Sequence, residues 1–247
     1  MSLLIIDPSR FGAAVPKTIP GLVGWWDAQD EGTITTDVGG DVVTWADKSG
    51  NGYDLSQADT TKQPTPVLVS GRQMLEFDGV NDLLRRVDTD DLDFAGDFEI
   101  HVVYRTADTN RGALVTKGNA IRYHIRVNDA DGNNGDLVCE IDDDTTSRRV
   151  VDTSVNYNDD SVRMVAMVRD GNNLRQFANG VETGASPVDV TGYGSIANTD
   201  EFNVGAFSDV LQHLDGEIGE IVVYDRAMSV SERGLLVGYL VERWGVG

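Results

Sequence analysis

The chain has 247 residues, 40% of them hydrophobic, enough for one large β domain or two small ones. Its 41 acidic and 20 basic residues give a net charge of −21, which disfavours nucleic acid and anionic membranes as partners and favours solubility. The single cysteine, Cys139, excludes an internal disulfide, and within "LVCEI" it reads as a buried structural thiol.

Residues 1–20 hold Pro8, Pro16 and Pro20, half of the six prolines. Proline removes amide donors and fixes φ, so an extended N-terminal arm is expected here rather than a central strand. The arm also carries Leu3, Leu4, Ile5, Ile6, Phe11 and Val15. The run Leu3–Ile6 is too short for a secretory or membrane-spanning segment and has no Lys or Arg before it, so synthesis in the cytosol without N-terminal export is expected. Fixing such an arm costs conformational entropy that burial of its apolar side chains must offset. Those six residues are therefore candidates for docking, on the chain's own sandwich or on another subunit.

From Leu22 onward the pattern is β. "LVGWWDA", "DVVTWA", "QMLEFDG" and "DLLRRV" read as short strands. In "DFEIHVVYRT", Phe98, Ile100, Val102 and Tyr104 share one face, with Glu99, His101 and Arg105 off it. "GALVTKG", "IRYHIRV" and "DLVCEI" continue the meander, and "SVRMVAMVRDGNNLRQFANGVE" reads as a hairpin with Val162, Met164, Ala166 and Val168 on one face. "EFNVGAF" and "GEIGEIVVYDR" close the β region, with Gly219 marking a bulge or a close backbone approach. The period then becomes helical: Val230, Leu236, Val237, Leu240, Val241 and Trp244 form a stripe, Ser229 and Glu232 fit a capping box, and Gly245 fits the stop. Gly234 and Gly238 weaken this helix, unless they let it lie close to a sheet. About a dozen short strands separated by Gly, Asn and Asp turns argue for an all-β sandwich of two antiparallel sheets with a short C-terminal helix. No linker divides residues 21–247, which are taken as one domain.

"GLVGWWDA", "VVTWADKSGNGYDL", "LEFDGVNDLL", "FEIHVVYR" and "LDGEIGEIVVYDRAMSVSERGLLVGYLVERWG" together resemble the laminin-G-like members of the concanavalin A-like lectin/glucanase superfamily. The resemblance runs in order over nearly all of residues 21–245 and implies a jelly-roll sandwich. It does not imply one function, because this fold hosts lectins, hydrolases, adhesins and virion parts. It also implies that the stretch from Trp45 to Gly52 is a structural turn, with Trp45 packed inward and Ser49 to Gly52 ending the strand.

Hydrolases of the superfamily carry carboxylates two apart on one strand, where they share a face and act as acid and base or nucleophile. Glu140 and Asp142 have that spacing and Asp144 follows, but position 145 is Thr rather than a third carboxylate. A turn-flanking acidic cluster is the preferred reading. Glu217 and Glu220 lie on opposite faces of a strand unless Gly219 bulges. His101, His124 and His213 fit no nucleophile motif, so no catalytic residue is assigned.

Asp129, Asp131, Asn133 and Glu140 fall at calcium-loop spacing, but Asn134 stands where the sharp turn needs glycine. Asp78, Asn81 and Asp82 suit an Asx turn. No cofactor and no metal site are assigned, calcium at the first loop being the single alternative. Trp45, Tyr53, Tyr157 and Tyr193 lie near loops that could receive a sugar, whereas Trp25, Trp26 and Trp244 read as core. A lectin-like sandwich, no export signal and an apolar arm together imply a non-enzymatic phage virion protein made in the host cytoplasm. The expected role is capsid decoration, with capsid protein and further copies of the chain as partners. A glycan-binding adhesin is the alternative, and a polysaccharide hydrolase or lyase the third reading.

Overall fold

The computed structural model describes residues 15–118, 122–129, 135–208 and 211–246. After one helical turn, α1 (Val15–Thr18), the strands β1 (Leu22–Asp27), β2 (Ile34–Thr36), β3 (Val42–Trp45), β4 (Leu55–Ser56), β5 (Thr65–Val69), β6 (Arg72–Asp78) and β7 (Leu84–Arg86) follow. Then come β8 (Phe98–Arg105), β9 (Gly112–Lys117), β10 (Tyr123–Val127), β11 (Leu137–Asp142), β12 (Ser147–Asp152) and β13 (Arg163–Asp170). The chain closes with β14 (Asn173–Ala178), β15 (Val181–Glu182), β16 (Val188–Asp189), β17 (Phe202–Val204), β18 (Asp215–Tyr224) and the helix α2 (Val230–Trp244).

These strands form two antiparallel nine-stranded sheets, the jelly-roll sandwich that the sequence implies. The first runs β15-β14-β13-β8-β18-β6-β5, with β1 on β18 and β16 on β14; the second runs β12-β11-β10-β9-β17-β7-β4-β3-β2. Alternation decides what lies between them. Phe98, Ile100, Val102 and Tyr104 of β8 enter the inter-sheet core with Trp26, Trp45, Tyr123, Cys139 and Phe202. The outer face of the first sheet is covered by α2, through Leu236, Tyr239, Leu240 and Trp244 against Trp25, Met74, Val103 and Val222.

Strand β18 organises this outer layer. Its first half pairs with β6 and its second half with β1, and its register against β8 shifts between Ile218 and Glu220. The bulge at Gly219 therefore puts Glu217 and Glu220 on the same outer face. A Cβ at Gly219 would stand 2.6 Å from the Trp244 ring, so glycine is needed for the helix to seat. Gly234 and Gly238 are not the close-approach glycines: a Cβ at either meets nothing within 4 Å, because the seating contacts lie elsewhere on the helix. Ser229 and Glu232 form the capping box, and Gly245 stops α2 in the left-handed region.

The extended arm is corrected where it is described. Residues 15–18 form a helical turn, in which Pro16 sits near the N-terminus and its missing N–H costs little. Val15 and Ile19 bury against this same helix–sheet layer, and Tyr224 Oη donates to the Pro16 carbonyl at 3.0 Å. Of the six docking candidates, Leu3, Leu4, Ile5, Ile6 and Phe11 lie outside the described residues, and Val15 packs on its own domain.

Two buried carboxylates fix α2. Glu99 accepts both arms of the Arg233 guanidinium at 2.7 and 2.8 Å, the Met228 N–H at 2.9 Å, and lies 2.8 Å from His101 Nε2. Burial pushes this carboxyl up, but His101 and Arg233 outweigh it and hold it down at about 2. Its stabilising share is thus present above its ordinary value of 4.5 and is lost as pH falls from there toward about 2. Glu99→Gln should cost about 3–5 kcal/mol by urea unfolding at pH 7, as for a buried pair that loses one partner, with little further loss at pH 3.

Glu220 accepts from Trp25 Nε1 at 2.7 Å, Tyr239 Oη at 2.9 Å and Trp244 Nε1 at 2.6 Å. Burial and the Asp27 carboxylate push it up to about 7 against the pull of both indoles and Arg243. Its contribution is therefore full below 4.5 and declines as pH rises through about 7. Glu220→Gln should remove that slope from a plot of unfolding free energy against pH; an unchanged slope would place the titration elsewhere.

Candidate functional site

The Asp47 loop is a structural staple. Asp47 Oδ1 accepts from the N–H groups of Trp25 at 3.0 Å and Ser49 at 2.8 Å, and its Oδ2 accepts from Ser49 Oγ at 2.6 Å and the Tyr53 N–H at 3.1 Å. Asn51 Nδ2 donates to the Val23 carbonyl at 2.8 Å, which Ser49 Oγ also approaches to 3.0 Å. The loop thus ties β3 and β4 to β1, and Trp45 packs inward as expected. Asp47→Ala should lower stability by about 2–4 kcal/mol in a denaturant titration, since it strips a charged acceptor from several donors.

Strand register places two of the sequence candidates, His124 and Glu140, on the outer face of the second sheet. Thr44, Ser56, Arg85, Asn203, Thr116, His124, Glu140 and Arg149 are successive cross-strand partners, a polar row spanning β3 to β12. Within it Arg126 Nε donates to His124 Nε2 at 3.0 Å, and its Nη2 meets Asp129 at 2.9 Å. His124 is held neutral, pushed down to about 3 by burial and Arg126. Glu140 accepts from Ser147 Oγ and lies 3.4 Å from His124 Nε2. Asp142 is drawn away into the turn, where it accepts the Asp144 N–H at 2.7 Å. Glu140 and Asp142 therefore do not work as a pair. Nor do Glu217, which is bound to Arg105 at 2.6 Å, and Glu220.

Asp129 of the calcium-spaced set is committed too. Asp129 gives one oxygen to Arg126 and the other to Arg149 at 2.8 Å, while Asp131, Asn133 and Asn134 lie outside the described residues. Asp78 accepts the N–H groups of Val80, Asn81 and Asp82, the expected Asx turn. His101 and His213 contact Glu99 and the Asp82 carbonyl rather than a nucleophile. Cys139 is buried and its thiol pushed up to about 12 by burial. Of the loop aromatics, Trp45, Tyr53 and Tyr157 are buried; Tyr193 alone is half-buried, under the Arg148 guanidinium at 5.7 Å.

Sequence reasoning missed a hollow of about 450 Å³ at the end of the sandwich where β1 begins and β18 ends. Leu22, Val23, Asn51, the loop from Asp90 to Asp97 and Asp225 line it. Most of its carboxylates are used by the fold: Asp91 accepts from Tyr53 Oη, Asp93 from buried Lys117 at 3.0 Å and the Asn198 N–H at 3.2 Å, and Asp97 from the Gly171 N–H at 2.7 Å. Lys117 also pairs with Asp88 at 2.6 Å, so an ammonium already supplies positive charge to the Asp88–Asp90–Asp93 group. Among the described residues the carboxylates of Asp90 and Asp225 make no hydrogen bond or close ion pair, although Asp225 lies in the field of the neighbouring Arg226. The run of Asp88, Asp90, Asp91 and Asp93 was a visible signal, but only the fold brings it to Asn51 and Asp225.

A two-sheet jelly roll with loops clustered at its rim defines a lectin-like β-sandwich. The family described as the concanavalin A-like lectin/glucanases superfamily (Laminin_G_3) matches residues 92–232, and the chain belongs to it. No curated protein matches the sequence. Among solved structures it is similar to the binding domain of Paraclostridial mosquitocidal protein 1, with a TM-score of 0.69 and 15% identity over 90% of this chain and 52% of that one. It is similar to the botulinum neurotoxin serotype D ligand binding domain in complex with N-acetylneuraminic acid, with a TM-score of 0.65 and 8% identity over 90% and 52%. The Trypanosoma rangeli sialidase in complex with sialic acid gives a TM-score of 0.62 and 14% identity over 94% and 35%. The chain thus spans about half or a third of the length of these proteins, and identities this low show a shared fold alone.

Proposed function

We propose that this domain is a non-catalytic glycan-binding module that takes a neutral saccharide at the rim hollow. The observation that carries the reading is the pair of carboxylates that make no hydrogen bond among the described residues, Asp90 and Asp225, in a concavity large enough for one or two sugar rings. Carboxylate oxygens accept from vicinal hydroxyls, the Asn51 amide oxygen adds an acceptor while its Nδ2 stays on the Val23 carbonyl, and half-buried Leu22 offers apolar surface to ring C–H groups. Five aspartates and no basic side chain line the hollow, which disfavours an anionic sugar there. The likeness to toxin binding domains, one of them in complex with N-acetylneuraminic acid, supports the reading. Non-catalytic action is supported by the candidate carboxylates Glu140, Asp142, Glu217 and Glu220, each already held by other protein groups.

The narrower expectation, a virion decoration protein docking through its arm, draws its support from Leu3 to Phe11, outside the described residues. Val15, the described member of that set, serves its own helix–sheet layer, so glycan binding has the firmer support. A glycan array followed by calorimetry tests it. A neutral oligosaccharide should bind, and the double variant Asp90→Ala, Asp225→Ala should bind it about 10- to 100-fold more weakly, as expected for losing hydrogen bonds to charged acceptors. Failure of every neutral saccharide to bind, or an unchanged Kd in the double variant, would overturn the reading. Appearance of shortened oligosaccharides during incubation would contradict non-catalytic action.

A further inference from the structure

A second concavity, of about 400 Å³, lies at the C-terminal end of α2, between the β5–β6 turn, the loop at Asp160 and the helix end. We propose that it is a separate subsite for a carboxylate-bearing sugar, held through the Arg72 guanidinium. The inference rests on the glycan-binding reading above but places a different ligand at a different site.

Two cations line the groove, Arg72 and Arg105. Arg105 is already neutralised by Asp160 and Glu217, each at 2.6 Å. Arg72 pairs with no carboxylate among the described residues. Its Nε donates to the Arg243 carbonyl at 2.7 Å, which satisfies one of the orphan acceptors at the helix end and leaves both terminal nitrogens uncommitted. By contrast, Arg175 and Arg233, which line another concavity, are each paired with carboxylates.

The guanidinium is also held in place. It lies over Gly245, where φ is 65° and a Cβ would stand 2.8 Å from Nη2. A planar fork fixed at its Nε edge fits a carboxylate through two parallel hydrogen bonds, which a lysine could not reproduce. Around it, half-buried Val69 and Val162 offer apolar surface to a ring, and Ser70 and Ser161 offer hydroxyls. The rim hollow, lined by aspartate, has nothing equivalent. The chemistry that fits is a pyranose acid, of the sialic or the uronic kind.

Calorimetric titration of the whole chain with N-acetylneuraminic acid, with its methyl ester and with glucuronic acid tests the assignment. At least one acid should bind, and the tighter of the two names the source. The methyl ester should bind at least 10-fold more weakly than its acid if the sialic kind is the ligand. Arg72→Gln should weaken binding of the preferred acid at least 10-fold while leaving the neutral saccharide of the rim hollow unaffected, and Arg72→Lys should recover only part of the loss. Should Arg72→Gln fold poorly, amidation of the preferred acid's carboxyl makes the same test from the ligand side. If neither acid binds while a neutral saccharide does, or if neutralising the carboxyl or Arg72 changes nothing, the assignment is overturned and the rim reading stands. If no saccharide of any kind binds, both fall.

Discussion

The bulge in β18 is the constraint on which the outer layer depends. This ten-residue strand pairs with β6 along one half and β1 along the other, and between the two halves its register against β8 shifts at Gly219. The missing Cβ admits the Trp244 ring, and the extra residue turns Glu220 outward into a ring of donors from β1 and α2. Arg243 then completes the anchor on Asp27 at 2.6 Å, and Lys48 reaches the same carboxylate at 2.9 Å. Burying two carboxylates together is unfavourable unless cations and hydrogen bonds surround them, and here they do. With α2 pinned in this way, its last turn presents the Arg243 carbonyl to Arg72.

The same economy runs through the rest of the acidic chain. The carboxylates that resemble catalytic or metal-ligating groups are those that the fold uses: Asp47 holds a loop, Glu99 holds a helix, and Asp129 with Glu140 belongs to a network with Arg126 and Arg149. Carboxylates that make no hydrogen bond among the described residues, such as Asp90 and Asp225, sit at the rim. Loops carried by a rigid sandwich are where binding groups can be displayed without burying charge.

Much of the fold was legible in the sequence. The alternation in β8, the hairpin of β13 and β14 and the capping box of α2 are local patterns, and local physics decides them. The very short strands β2, β4 and β16 were not legible, because two or three residues carry no period. Gly234 and Gly238 misled because a sequence shows that a helix contains glycine but not which way the glycine faces. The candidate site was the least legible part. Asn51, Asp90 and Asp225 are far apart in the chain and meet only through the pairing of β1 with β18. Likewise, the polar row from Thr44 to Arg149 depends on cross-strand register, which no single segment records.

The proposed neutral-saccharide site lies at the rim of the sandwich and not on the outer face of its second sheet. Backbone amide chemical-shift mapping during titration with a neutral oligosaccharide that binds on the array tests it most directly. Saturable shifts are expected at Leu22, Asn51 and the loop from Asp90 to Asp97, with the amides of His124, Arg126 and Glu140 unmoved. Shifts centred on the outer face of the second sheet, with the rim silent, would contradict it.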